Sequence, residues 1–186
     1  MRAVTHSHKL SLFAEGLLVC LFTLLMITAA YIRIPLFFSP VPITMQTFVL
    51  FVSIIVLGHR AVFFYISYLL LGLGGVPVFG NGGAGYLYLV GPTGGYLIAF
   101  LLIALIMPYF LKGKISVLRA LCTFCAGNIL IYTMGVSWLV FCYRYPFKLA
   151  FSVGALPFIV GDIFKIVLAV LISIPLNPLR CSKESF

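Results

Sequence analysis

The sequence predicts an all-α integral membrane protein, with six transmembrane helices and a glycine-rich extracytoplasmic loop between helices 3 and 4. Of its 186 residues, 63% are hydrophobic and only 8% are charged, and the mean hydropathy is +1.24. A soluble domain of roughly 150 residues buries only about 70% of its unfolded surface, so the remaining apolar surface here must face a bilayer. Since one span takes about 20 residues, residues 1–186 are expected to form a single membrane domain without a separate soluble catalytic domain.

Long uncharged runs place the six helices, and proline, glycine and charged residues separate them. The predicted ranges are Leu10–Tyr31, Ile43–Leu57, Ala61–Leu73, Tyr96–Leu111, Val117–Phe141 and Leu149–Leu176. The second and third runs are shorter than a full crossing, so we expect these helices to be tilted, or to begin and end inside the protein. Short helices would leave room for a cavity.

The net charge of +9 is best explained by orientation in a membrane, because the basic residues stand singly between apolar runs. Alternate connections collect eight of them on one side: Arg2, Lys9, Arg60, Lys112, Lys114, Arg119, Arg180 and Lys183. The other side collects Arg33, Arg144 and Lys148. This asymmetry predicts a multi-pass membrane protein with both termini in the cytoplasm, and no nucleic-acid partner. The sequence has no phosphate-binding loop motif, so any ATP-driven work would need another chain.

The segment Gly74–Gly95 holds nine of the seventeen glycines and no charged residue. A solvent-exposed loop would be more polar, whereas glycines let backbone approach a ligand closely. We interpret the segment as a lid-like or re-entrant loop that lines a cavity, with Asn81 as its side-chain amide and Phe79, Tyr86 and Tyr88 as apolar walls. The alternative is a tight connector whose glycines serve packing.

Two charged residues, Asp162 and Lys165, lie three positions apart in the last predicted helix and therefore share a face. A charge at the bilayer centre costs about 2.5–3.5 kcal/mol even on lenient insertion scales, so such groups face a cavity, pair or bind something. The pair could form a polar floor in which Asp162 accepts N–H bonds and Lys165 meets a carboxylate or carbonyl oxygen. It could also be an ion pair that locks two helices, and a proton-coupling role for Asp162 is a further alternative.

The proline-rich segment Phe37–Thr47 is expected to lead in extended form into the second helix, with Thr44 and Gln46 in its first turns. Proline begins helices routinely, so this pattern is weak by itself. The five cysteines are interpreted as small buried hydrophobes, and the three histidines lie near the predicted cytoplasmic edges without carboxylate or cysteine partners. No metal site and no cofactor are expected.

As a set, these motifs resemble the BioY family, the biotin-binding substrate-specific components of energy-coupling factor (ECF) transporters. The resemblance covers nearly the whole chain. It rests on Ile34-Pro35, Ser39–Thr47, Leu57-Gly58, Gly75–Phe79, Asn81–Gly83, Gly91–Tyr96 and Leu156-Pro157-Phe158 with Gly161-Asp162 and Lys165.

The resemblance implies a six-helix membrane protein that captures biotin on the outer side and delivers it inward with a transmembrane coupling subunit and two cytoplasmic ATPases. Its partners would be these subunits, biotin and membrane lipid, and it would lie in the bacterial inner (plasma) membrane. By motif match, the family's ligand contacts fall on Asn81, Asp162 and Lys165, and which of the two charged residues meets the ureido ring stays open. The full candidate binding set is Asn81, Asp162, Lys165, Gln46, Thr44, Phe79, Tyr88 and Tyr96.

Three other functions remain as alternatives: a binding component for another vitamin, a stand-alone proton-coupled carrier, and an intramembrane enzyme that uses Asp162 as acid or base. The enzyme is disfavoured because catalysis generally needs more than one positioned acid, base, nucleophile or metal ligand. The predicted spans place only one carboxylate deep in the membrane.

Overall fold

The structure is a computed structural model that describes residues 2–113 and 115–181. Lys114 and Lys183, two of the basic residues on the predicted cytoplasmic side, lie outside the described residues. Helices account for most of the chain, with a single two-stranded ribbon among the described residues. The apolar composition is therefore organised as a helical bundle.

Within the described residues, helices and two short strands follow one another along the chain. They are α1 (Arg2–Tyr31), β1 (Arg33–Ile34), β2 (Ile43–Thr44), α2 (Gln46–Leu57), α3 (Ala61–Leu73), α4 (Tyr86–Leu89), α5 (Gly94–Phe110), α6 (Val117–Tyr143), α7 (Phe147–Gly154) and α8 (Ile159–Cys181). Short 3-10 turns occupy Gly58–Arg60, Gly80–Gly82 and Leu156–Phe158.

Four stretches of helix within the described residues are long and apolar enough to cross a membrane: Phe13–Tyr31, Gln46–Leu73, Val117–Tyr143 and Phe147–Ile172. Gly94–Phe110 is a shorter apolar helix. The stretch Gln46–Leu73 is not one straight helix, because Gln46 Nε2 donates to the Tyr68 hydroxyl at 2.8 Å. In a straight helix these residues would lie about 33 Å apart. The chain therefore reverses at Gly58–Arg60, and α2 and α3 run antiparallel.

Most predicted helix boundaries agree with the structure to within three residues, and α3 matches its predicted range. The second helix begins at Gln46 and not at Ile43. Ile43 and Thr44 instead form β2, which pairs antiparallel with β1 in the register Arg33 to Thr44 and Ile34 to Ile43. The proline-rich segment between the strands thus closes as a small hairpin that sets the position of the α2 N-terminus.

The prediction of one continuous helix over Leu149–Leu176 is wrong. The helix ends at Gly154, Ala155 has φ −129° and ψ −55°, and a 3-10 turn precedes α8. Pro157 explains the break, since proline lacks an N–H donor and disfavours helical geometry in the residue before it. Asp162 consequently lies in the first turn of α8, where the positive end of the helix dipole favours its negative charge.

Close packing of rings against small residues joins the central helices. The rings of Phe51 on α2 and Phe124 on α6 stack at 4.5 Å, and Gly135 on α6 leaves room for the Tyr96 ring of α5, which a methyl group would overlap.

The prediction of buried cysteines is wrong for four of them, since Cys20, Cys122, Cys125 and Cys142 are exposed. In a bilayer the outer surface is apolar too, so a small apolar side chain need not be inside. The side chain of Cys181 lies outside the described residues.

Candidate ligand-binding site

A cavity lies where the N-terminal ends of α2, α5 and α8 meet the C-terminal half of α3 and the middle of α6. The walls are mostly apolar and aromatic, and include Val41, Leu97, Phe100, Ile131 and Phe158. The segment between α3 and α5 also contributes to the lining.

Buried charges form one wall of this cavity. Lys165 Nζ lies 2.7 Å from Asp162 Oδ1, and the two residues are only 6% and 4% exposed. The second carboxylate oxygen, Oδ2, accepts a 2.7 Å hydrogen bond from the Tyr132 hydroxyl, which brings α6 to α8. All three side chains line the cavity. The ion pair is therefore not sealed between helices, and it faces a space that a ligand can enter.

The ammonium of Lys165 has hydrogen-bonding capacity left over. It has three N–H donors, and Asp162 is its hydrogen-bond acceptor among the described residues. A buried donor without an acceptor costs about 1–3 kcal/mol, or more when it is charged. A ligand oxygen beside Lys165 would remove that cost.

A second polar group enters the cavity from the start of α2. The Gln46 amide donates to the Tyr68 hydroxyl on α3, and its Oε1 accepts from Thr44 Oγ1 at 3.2 Å. Gln46, Thr44 and Tyr68 all line the cavity, together with Thr47. The hairpin formed by β1 and β2 holds Thr44 beside Gln46, so this polar group is fixed before a ligand arrives.

The glycine-rich segment covers the cavity through Gly80, Tyr88 and Thr93. The Tyr88 ring stacks on Phe79 at 5.0 Å, and Gly83 leaves the space that this ring fills, since a methyl group there would overlap it. Burial raises the pKa of the Tyr88 phenol, and its hydrogen bond with Thr93 acts in the opposite direction. The phenol is therefore neutral near pH 7, with a hydroxyl that can both donate and accept.

Side chains from two helices tie the glycine-rich segment down. Trp138 Nε1 donates to the Gly91 carbonyl and the Tyr143 hydroxyl to the Val90 carbonyl, both at 2.9 Å. The Tyr31 hydroxyl at the end of α1 donates to the Pro77 carbonyl. The segment is therefore held from α1 on one side and from α6 on the other. It covers the cavity as a tethered strap.

The geometry offers a polar wall of one anion, one cation and several hydroxyl and amide groups, set in an apolar enclosure. Such a site suits a small molecule with a compact polar head and an apolar body. The sequence matches the BioY family over residues 4–180. The chain belongs to the BioY family.

Individual relatives of this BioY-family chain agree with the match. The chain is 41% identical over 164 residues to the biotin transporter BioY of Thermotoga maritima, which covers 88% of this chain and 95% of that protein. It is 40% identical over 161 residues to the probable biotin transporter BioY of Pyrococcus horikoshii, with 86% and 93% covered. The fold is similar to a crystal structure of the S-component for biotin from an ECF-type ABC transporter, with a TM-score of 0.82 and 27% identity over 90% of this chain and 93% of that one. This BioY-family chain is accordingly a multi-pass membrane transporter component and not an enzyme.

Of the eight residues predicted to bind a ligand, the structure brings six to the cavity. These are Thr44, Gln46, Tyr88, Tyr96, Asp162 and Lys165. Phe79 lies one layer behind the cavity wall, fully buried, where it supports the Tyr88 ring. The side chain of Asn81 is exposed on the 3-10 turn Gly80–Gly82, with a left-handed φ of 64°, and does not line the cavity.

Sequence reasoning missed two tyrosines of the BioY-family site. Tyr132 and Tyr68 face the cavity and hydrogen-bond to Asp162 and Gln46. In the sequence they stand among many aromatic residues of membrane helices, which are usually explained by the membrane interface. No local spacing links residues 30 and 22 positions apart, so only the fold reveals these contacts.

Proposed function

We propose that this chain binds biotin in the cavity beside Asp162 and Lys165, as the substrate-binding component of an ECF-type vitamin uptake transporter. The observation that carries the proposal is the Tyr132–Asp162–Lys165 network, in which both charges are buried and which faces a mainly apolar cavity in a BioY-family chain. Relatives named biotin transporters, and the biotin S-component with the same fold, support biotin as the ligand.

The chemistry of biotin suits this cavity group by group. Its ureido ring carries two N–H donors and one carbonyl acceptor, and its carboxylate is an anion, so Asp162 can accept N–H bonds while Lys165 meets an oxygen. The bicycle and tail are apolar, and Phe100 and Phe158 offer apolar contact. Two orientations satisfy this arrangement. Either the ureido carbonyl or the carboxylate of biotin lies against Lys165.

The other predicted residues would surround the bound molecule. Gln46 and Thr44 add an amide and a hydroxyl from one side, and Tyr88 covers the ligand from the glycine-rich segment. Tyr96 uses its hydroxyl on the Gly154 carbonyl at 2.6 Å and offers its ring to the cavity. Phe79 acts through Tyr88. Asn81 is the member of the set with the weakest support, because its exposed side chain does not line the cavity.

In the membrane we propose six crossing helices, namely α1, α2, α3, α5, α6 and α8. The helices α2 and α3 are only about 18 and 20 Å long, which leaves the cavity open toward one face. Both termini would lie in the cytoplasm of a bacterium, with the cavity on the outer side of the inner membrane. A transmembrane coupling subunit and two cytoplasmic ATPases would then drive delivery of biotin inward.

The direct test is a binding titration of the purified chain with biotin and with desthiobiotin, which lacks the sulfur bridge. We expect saturable binding of biotin, and at least a tenfold weaker Kd, about 1.4 kcal/mol, for Asp162→Asn. Lys148→Gln is a matched control, since this exposed residue lies on α7 away from the cavity. Absence of saturable biotin binding would reject the proposal. Tight binding of a different vitamin would then favour another substrate for the same fold.

A further inference from the structure

A second concave surface lies at the end of the bundle opposite the ligand cavity, between the C-terminal half of α5 and the N-terminal half of α6. It is a groove lined by Ile103, Met107 and Phe110 on α5 and by Thr123, Ala126 and Leu130 on α6. The Thr123 hydroxyl is already bonded to the carbonyl of Arg119 at 2.7 Å. The groove thus offers an almost wholly apolar surface, unlike the cavity beside Asp162.

The groove leads to a pair of exposed cations. Arg119, Thr123, Ala126 and Leu130 are spaced four, three and four residues apart, so they form one face of α6 with Arg119 at its end. Arg119 Nε donates to the carbonyl of Phe110 at 2.6 Å and its Nη1 to the carbonyl of Lys112 at 2.9 Å. These bonds fix the guanidinium beside the loop that joins α5 to α6. Lys112 follows α5 at the same end.

These two cations lack acidic partners among the described residues. The two described carboxylates are used elsewhere: Glu15 pairs with Arg60 at 2.8 Å, and Asp162 pairs with Lys165 in the ligand cavity. Lys112 Nζ lies 5.1 Å from the centre of the Tyr109 ring. An anion from outside the chain would therefore meet two positive charges at the mouth of an apolar groove.

The face of α6 from Arg119 to Leu130 is about as long as one leaflet of a bilayer is deep. From Arg119 to Leu130 the α6 axis rises about 16 Å, at 1.5 Å per residue. One leaflet of a bilayer with a hydrocarbon core of about 30 Å is about 15 Å deep. A phospholipid with its headgroup at Arg119 would have its acyl chain end near Leu130.

We propose that the α5–α6 groove binds an anionic phospholipid, with the phosphate beside Lys112 and Arg119 and one acyl chain lying in the groove. Charge complementarity favours this occupant over a helix of another protein, because such a helix would need an acidic group at the level of the headgroups. Each Lys or Arg near a membrane surface adds to the attraction for anionic lipid. The site is separate from the biotin cavity and does not depend on biotin being the substrate.

The test is native mass spectrometry of the purified full chain, after exchange into phosphatidylglycerol or into phosphatidylcholine with the same acyl chains. We expect the wild-type chain to retain phosphatidylglycerol about fivefold more than phosphatidylcholine. Lys112→Gln should reduce retention of phosphatidylglycerol to near the phosphatidylcholine level. Ala126→Phe, which fills the groove, should reduce retention of both lipids.

Matched controls separate the groove from general effects. Lys148→Gln removes an exposed lysine at the other end of the bundle, and Ile129→Phe enlarges an exposed apolar side chain of α6 outside the groove. Both should keep the wild-type pattern, and thermal unfolding in detergent reports whether each variant is folded. Equal retention of the two lipids by the wild-type chain would overturn the proposal. Wild-type retention of phosphatidylglycerol by folded Lys112→Gln and Ala126→Phe would also overturn it. If Ala126→Phe then impaired only assembly with another protein, the groove would be a protein-docking site and not a lipid site.

Discussion

The Tyr132 hydroxyl donates a 2.7 Å hydrogen bond to Asp162 Oδ2 across the interface between α6 and α8. Because Lys165 occupies the other carboxylate oxygen, Asp162 is held from two directions before any ligand is bound. The position of the acceptor that we assign to biotin therefore depends on a residue from another helix.

Tyr132→Phe should weaken biotin binding without preventing folding. The substitution keeps the ring and removes the hydroxyl, so Asp162 Oδ2 loses a hydrogen bond to a charged group, worth about 1.5–3 kcal/mol. We expect Kd to rise at least tenfold in a titration of the purified chain. Tyr109→Phe is the control, because Tyr109 is exposed and far from the cavity. Equal affinities for both variants and the wild type would show that Tyr132 does not position the acceptor.

Lys165→Met should lower thermal stability as well as affinity. Removing one member of a buried ion pair leaves an uncompensated charge, which costs about 3–5 kcal/mol. Adding Asp162→Asn to this variant removes the remaining charge. The double variant should therefore recover most of the Tm lost by Lys165→Met while still failing to bind biotin. If the double variant is no more stable than Lys165→Met, the charge imbalance is not the source of the loss.

Gly83→Ala should impair binding through Tyr88. The new methyl group overlaps the Tyr88 ring, so the ring must move from its position in the cavity lining. Such overpacking typically costs about 1–3 kcal/mol, and we expect at least a fivefold higher Kd for biotin. Gly16→Ala on α1 provides the comparison, since a methyl group there meets nothing within 4 Å. Unchanged affinity in Gly83→Ala would favour the interpretation of the segment as a simple connector.

The proposed orientation predicts opposite labelling of two exposed lysine positions. In a chain whose five native cysteines are replaced by alanine, Lys148→Cys should react with a membrane-impermeant maleimide on intact cells. Lys112→Cys should react only after the cells are permeabilised. Labelling of Lys112→Cys on intact cells, with Lys148→Cys protected, would reverse the orientation and place the cavity on the cytoplasmic side.

The sequence predicts the helices best where charge or glycine interrupts an apolar run. Helix α3 ends before Gly74, and α6 begins shortly after the charged Lys112-Gly113-Lys114 sequence; in the structure the Ser116 side chain caps α6 by accepting a hydrogen bond from the Arg119 N–H. Such signals are local and depend on the chemistry of one or two residues. The prediction of the last helix is wrong because the long apolar run is given more weight than Leu156-Pro157, although a proline there is a sign of a break.

The candidate site is predicted in part for the same reason. Charged residues inside an apolar run stand out, so Asp162 and Lys165 can be identified without a structure. The partners Tyr132 and Tyr68 cannot be, because their roles arise from contacts between distant helices. Asn81 is conspicuous in sequence as an amide among glycines. Its left-handed backbone turns the side chain outward, and only coordinates reveal that orientation.

The measurement that tests the central claim most directly is a density map of the full chain bound to biotin. We expect ligand density in the cavity between the glycine-rich segment and α8, with a polar atom of biotin within hydrogen-bonding distance of Asp162 or Lys165. Density for biotin elsewhere on the chain, or an unfilled cavity at a saturating biotin concentration, would contradict the account.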